Sequence, residues 1–244
     1  MRKSNRSPEK ARSVLMRTTT DEEVLLRGGR VGQVAIFISL LMVFGGLIAS
    51  FTEYKVLTIL AIGLGVVMYT IGSRGQQQAA REPRLTRQLE QALAEFDDRY
   101  HLYNHVLPAD HLLLTPDGAF ALVLRGMGGK IRCFQDKWSR QLTIRRVLQL
   151  FTDEPLGNPS KEAEKDAEKL AKYIEEHAPQ VSGEVRGVVI FTNPAAQLEI
   201  TSAAVPILPL SRLKNYLRKA PGRAQMAPEA LKTLTDLFDE APQS

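Results

Sequence analysis

The 244-residue sequence has one cysteine and four histidines. A lone Cys133 cannot close an internal disulfide. That excludes a disulfide-stapled scaffold and fits a reducing compartment. The expected setting for Cys133 is a small, buried strand position, because a free cysteine behaves as a small hydrophobe. His101, His105, His111 and His177 lack the helical spacing of a zinc site. No metal site is expected from them; His101 and His105 would share a strand face with Tyr103 in an extended segment. No Ser/His/Asp arrangement and no internal repeat are evident. Gly126, Gly128 and Gly129 in RGMGGK lie between two predicted strands, without the ending or the following helix of a phosphate loop, and read as a turn.

Charge is missing where it is most informative. Val31 to Phe51, VGQVAIFISLLMVFGGLIASF, contains no charged residue, and neither does Val56 to Gly72, VLTILAIGLGVVMYTIG. Spanning a bilayer takes roughly 20 apolar residues, with about 17 as the lower limit. Four residues, Thr52 to Lys55, separate the runs. The pattern predicts an antiparallel transmembrane hairpin, and neither run has the polar face of a soluble helix. Gly45, Gly46 and Ala49, and Ala61 and Gly65, offer small-residue faces for packing the hairpin on itself, or on a second copy in a homo-oligomer. A secretory signal peptide is not expected, because a second span follows the first.

The basic residues set the orientation. The first thirty residues carry eight Lys/Arg against four Asp/Glu, Arg74, Arg81, Arg84 and Arg87 follow the second run, and the connecting loop has only Lys55. The positive-inside rule predicts a multi-pass protein of the inner (plasma) membrane with both termini cytoplasmic. Most of the net charge of +5 lies in the basic tail 1–30, whose natural partner is the anionic leaflet and whose composition predicts disorder. A local basic strip follows: Arg125, Lys130, Arg132, Lys137, Arg140, Arg145 and Arg146 against Asp136 alone. A nucleic-acid or phosphate site at Arg125, Lys130, Arg132 and Lys137, a membrane-resting face and an ordinary solvated surface all fit that strip. Phe134 and Trp138 within it are expected in the core.

Periodicity divides the remainder. Residues 73–83, with QQQAAREP, read as a linker. Leu85, Leu89, Leu93 and Phe96 form a helical stripe. HLYNHVL at 101–107 reads as a strand, and strands at 110–114 and 119–125 flank Pro116-Asp117-Gly118 as a hairpin. A further strand is expected at 130–134, a short helix at 143–151, and a long helix from about Ser160, its expected N-cap, to His177. Strands follow at 185–191, 198–201 and 204–208, then helices at 211–219 and 228–239. The order predicts an α/β domain with a mixed central sheet flanked by helices, over 84–219, with a C-terminal helix and tail at 220–244.

NHVLPADHLLLTPDGAFALVL, then GGKI, a long helix, VRGVVIFTNP and VPILPLSRLKNYL together resemble the nuclease-related domain (NERD) family. That family is similar in its core to PD-(D/E)xK nucleases, so the resemblance implies a restriction-endonuclease-like sheet. It also implies an Asp and a second acid one strand later to bind Mg²⁺, a Lys two residues beyond, and an assisting helical Glu. Acid and Lys at i and i+2 of a strand point to the same side. Carried onto this chain, the Asp is Asp110, the second acid falls at Val123, the Lys at Arg125, and the helical Glu near Thr86. Valine cannot ligate a metal, and arginine is a poor proton carrier. The resemblance therefore implies a catalytically degenerate nuclease fold serving as a binding or scaffold module for nucleic acid or protein, with no cofactor. The alternative is an active Mg²⁺-dependent nuclease with relocated ligands, for which Glu90, Asp97 and Asp98 lie on or near the first helix. A domain serving mainly in oligomerisation is a third reading.

Overall fold

The computed structural model describes residues 16–51, 55–141, 155–181, 183–219 and 225–241. The first element among the described residues is a strand, β1 (Arg17–Thr20), whose threonines suit a pleated edge. It then enters two long antiparallel helices, α1 (Glu22–Ala49) and α2 (Lys55–Leu93). Gly29–Ala49, and the apolar part of Thr58–Leu93, are long and apolar enough to cross a membrane by length and composition. The helices meet through glycines: a Cβ added at Gly65 would lie 2.8 Å from Val43 Cγ2, and one added at Gly46 would lie 2.9 Å from Ile62 Cγ1. Gly45, grouped with them from the sequence, has open space beside it.

Two sequence expectations change here. Residues 76–83 are helical, with Pro83 inside α2. Gln, Ala and Arg are good helix formers, and Leu85, Leu89 and Leu93, all buried, pin the far end of the helix to the sheet. Full burial of each leucine is worth about 1.5–3 kcal/mol, enough to carry the helix through a proline. The expected disorder of the tail likewise fails at Arg17–Thr20, which pairs in parallel with β2.

The domain is built from β2 (His101–Asn104), β3 (His111–Thr115), β4 (Gly118–Arg125), β5 (Gly129–Phe134), β6 (Lys137–Arg140), α3 (Pro159–His177), β7 (Val185–Phe191), β8 (Ala196–Ser202), β9 (Ile207–Pro209), α4 (Leu210–Arg218) and α5 (Pro228–Asp239). The main sheet has the order β1-β2-β3-β4-β7-β9 and is mixed: β3 is antiparallel to β2 and β4, while β4-β7 and β7-β9 are parallel. A smaller sheet, β6-β5-β8, continues from it. The join is explicit, since β4 and β7 are parallel neighbours and each feeds one of the parallel neighbours β5 and β8. Thr192 N donates to Arg125 O at 2.9 Å, and Asn193 Nδ2 donates to Gly126 O at 3.1 Å, holding the two crossings together. This is the α/β architecture with a mixed, helix-flanked sheet that the sequence predicts.

Side-chain alternation gives each face of the main sheet its own core. Leu102, Leu113, Phe120, Leu122, Leu124, Val188 and Ile190 pack with Leu85, Leu89 and Leu93 of α2 and Leu213 and Leu217 of α4. Val123, Val189 and Phe191 on the other face pack with Ala163 of α3. Helix α3 lies very close to β7, for a Cβ at Gly187 would come 2.4 Å from Ala163 O. The N-cap of α3 is Asn158, whose side chain accepts from Lys161 N. Ser160, expected in that role, instead accepts a hydrogen bond from Trp138 Nε1 at 3.1 Å. Strand β2 stops at Asn104, three residues short of its predicted end, because His105 turns to φ +59°. The helix expected at 143–151 and the basic residues Arg145 and Arg146 lie outside the described residues.

Candidate functional site

At one end of the main sheet, β2 ends, β3 begins and β4 ends, with α2 passing alongside. Asp110 lies just before β3 with its side chain 66% exposed, and its backbone carbonyl accepts from His105 N at 2.8 Å. Val123 is 7% exposed and packed among apolar residues including Met127, Ile131 and Phe191. Arg125 pairs with Glu162 of α3, and its Nη1 donates to Leu124 O at 3.0 Å. Of the three positions implied by the resemblance, Val123 offers no ligand atom, Arg125 is paired with Glu162, and Asp110 lies beside His105. Thr86 is buried in α2, and Glu82 and Glu90 stand one turn to either side of it.

Glu82 rather than Thr86 reaches the sheet. One ligand atom each from Glu82, His105 and His111 can be chosen so that all lie within 4.8 Å of one another. Three elements bring them together. His111 pairs across the ladder with Asn104, so His105 follows directly at the neighbouring strand's end. The left-handed backbone at His105 folds the loop back so that the imidazole rings meet edge to face at 5.1 Å. Histidine tolerates that conformation better than bulky or β-branched residues do. Helix α2 then supplies Glu82.

The hydrogen bonds fix which atom of His111 is free. Asn104 Nδ2 donates to Thr20 Oγ1 at 3.1 Å and to Glu90 Oε1 at 3.3 Å. Both amide protons are therefore used, and Asn104 Oδ1 is left as an acceptor 2.9 Å from His111 Nδ1. His111 Nδ1 carries the proton, and in the neutral ring the lone pair is on Nε2. That Nε2 lies 3.4 Å from Glu82 Oε2. The contact is an ion pair only when the ring is protonated; a neutral ring turns its lone pair toward the carboxylate, and Glu82 Oε2 is buried with no hydrogen-bond partner among the described residues. His105 Nε2 is in the same condition, and the His105 side chain is only 6% exposed.

Electrostatics follow this geometry. Burial alone would push the Glu82 carboxyl up, but His111, His105 and Arg125 outweigh it and hold Glu82 below the usual carboxylate range. Burial, reinforced by His111, pushes His105 down against the opposing pull of Asp110, Glu82 and Asp21. Burial pushes Glu90 up, partly offset by Arg87 and His111.

The donor set does not suit Mg²⁺, which demands oxygen ligands in a near-octahedral shell. Two imidazoles and one carboxylate suit borderline transition cations. From the sequence alone the histidines carried no metal expectation, because His105 and His111 lie on different strands and Glu82 sits in what read as a linker. The available signal was the short return from β2 to β3, which leaves few residues between the two histidines.

The basic strip divides between the two sheets. Lys130 Nζ and Arg132 Nε both reach Glu199, at 2.7 and 2.6 Å. Arg140 donates to Gly128 O at 3.0 Å, and Lys137 is exposed. Phe134, expected in the core, is 56% exposed, because it shares the outer face of β5 with Lys130 and Arg132. Trp138 does turn inward, stacking on Phe191 at 6.1 Å.

Comparison with known proteins adds one positive finding. The family model described as nuclease-related domain, NERD, matches residues 71–192, half of the chain. That span runs from the middle of α2 through β7. No curated protein matches, and no solved structure does.

Proposed function

The chain belongs to the nuclease-related domain family, and on that premise we propose that it is a membrane-anchored, catalytically silent nuclease-like domain acting as a binding module at the cytoplasmic face. Val123 carries this reading. Where the family resemblance calls for a metal-ligating acid, the chain has a valine sealed into an apolar cluster. Arg125, at the lysine position, is engaged by Glu162. Asp110 is left exposed, without a second family carboxylate beside it.

The anchor is supported by exposure. Phe37, Leu41, Phe44, Leu47 and Ile48 of α1, and Ile59, Leu60 and Leu64 of α2, are all exposed. An apolar surface of that extent is covered by something other than water, and lipid fits its length. The ladder β1-β2 ties the strand before α1 to the strand after α2. Both flanks therefore share one side of the bilayer, and their arginines and lysines favour the cytoplasm. The outer face of β5 and β6, with Lys130, Arg132, Phe134 and Lys137, offers charge for a phosphate backbone and a ring for stacking, so nucleic acid is the favoured ligand.

One observation favours the active alternative: Glu82 brings a buried carboxylate to the sheet end. The test is cleavage by the full chain in nanodiscs. Supercoiled plasmid, single-stranded DNA and RNA would be incubated in Mg²⁺ or Mn²⁺ beside D110A and E82Q. The expected outcome is no cleavage, with binding of single strands that weakens with salt and with K130A/R132A. Cleavage that disappears in D110A or E82Q would overturn the silent reading.

A further inference from the structure

We propose that Glu82, His105 and His111 bind one divalent transition cation of the zinc class, clamping the membrane-derived helix α2 to the end of the main sheet. Two buried acceptor atoms, Glu82 Oε2 and His105 Nε2, have no hydrogen-bond partner among the described residues, and a buried acceptor left unpaired is destabilising. A cation meets both needs at once. His111 is already oriented for a ligand's role. The Asn104 amide, itself locked by Thr20 and Glu90, takes the Nδ1 proton and leaves Nε2 facing Glu82. Metal-bound histidines are oriented by an outer partner in this way.

His105 is biased similarly. The Asp110 carboxylate lies 4.0 Å from its Nδ1, favouring the proton there and the lone pair on the buried Nε2. Asp110 thereby has a use that needs no second family acid. Metal–ligand bonds of about 2.0–2.1 Å bring ligand atoms to roughly 3.0–3.4 Å from one another. From separations of up to 4.8 Å, closure takes side-chain rotation of about an ångström. Three protein ligands leave one or more coordination positions for water. The chemistry excludes Mg²⁺, which prefers oxygen ligands, and favours Zn²⁺, Co²⁺ or Ni²⁺.

The test uses the full chain in detergent micelles, stripped with a chelator and titrated calorimetrically with ZnCl₂. Cobalt(II) absorption would report the ligand field. One zinc per chain is expected, unaffected by millimolar Mg²⁺ and by H177A, whose imidazole lies on the exposed end of α3. E82Q is expected to weaken binding at least about 10-fold. N104A, which removes the outer partner of His111 together with its bonds to Thr20 and Glu90, should weaken it about 10–100-fold. H105N serves as the third variant, because asparagine tolerates the left-handed backbone there and so preserves the turn while removing the imidazole. No saturable uptake near one equivalent would overturn the proposal, as would uptake undiminished in both E82Q and H105N. The readout is binding, so its failure is separate from any result of the cleavage assay.

Discussion

Cys133 is 1% exposed in β5, and its thiol donates weakly to Ser202 O at 3.6 Å. Burial pushes the thiol up, so the reactive thiolate is scarce as well as shielded. A maleimide or disulfide reagent at neutral pH is therefore expected to leave the folded chain unmodified and to modify one thiol per chain in urea. Rapid modification of the folded chain would show β5 to be open. The sequence made this position legible because one cysteine in an alternating strand has few settings. It made Val123 and Arg125 legible for a similar reason, as the register of a buried hairpin fixes which residue occupies which position. Glu82 and the two histidines were not legible, since their meeting depends on the turn at His105 and on the azimuth of α2. Local spacing encodes neither.

At the scale of elements, β3, β4, β7, α3 and α5 were predicted close to their observed limits, because continuous apolar runs bounded by turn residues and amphipathic helical stripes are both strong signals. Strand β1 and the helical stretch 76–83 were not. Four residues of strand gain their pairing from a partner more than eighty positions away, and a polar helix segment is held at its ends rather than by its own pattern. The helical hairpin gives the sharpest test at this scale. A Cβ at Gly65 would meet Val43 Cγ2 at 2.8 Å and Ser39 O at 3.1 Å, whereas one at Gly45 would meet nothing within 4 Å. Gly65→Leu is expected to overpack the interface by about 1–3 kcal/mol and to lower the thermal stability of the chain in detergent, while Gly45→Leu leaves it nearly unchanged. Equal effects of the two substitutions would refute the glycine-mediated contact between α1 and α2.

For the whole molecule, the arrangement makes the domain an outgrowth of the hairpin. Helix α2 enters the first core with Leu85, Leu89 and Leu93, and β1, just before α1, lies at the edge of the same sheet. The domain is thus tied to both ends of the apolar pair, and the whole sheet must lie on one side of any bilayer that the pair crosses. On the proposed membrane reading, charge favours the cytoplasmic side, because arginines and lysines flank the sheet end of the hairpin and only Lys55 stands near its tip. The shielding of Cys133 makes this measurable, since a cysteine introduced elsewhere reports alone. Phe51→Cys, at the exposed tip, is expected to react with a membrane-impermeant thiol reagent added outside intact spheroplasts. Ser139→Cys, on the outer face of β6, is expected to react only after the membrane is opened. The reverse pattern would place the domain outside, and labelling of both before opening would remove the bilayer from the account. In the expected result, every lipid-facing residue of α1 and α2 has its solvent, and the basic face of β5 and β6 is left in the cytoplasm, where phosphate-bearing partners are found.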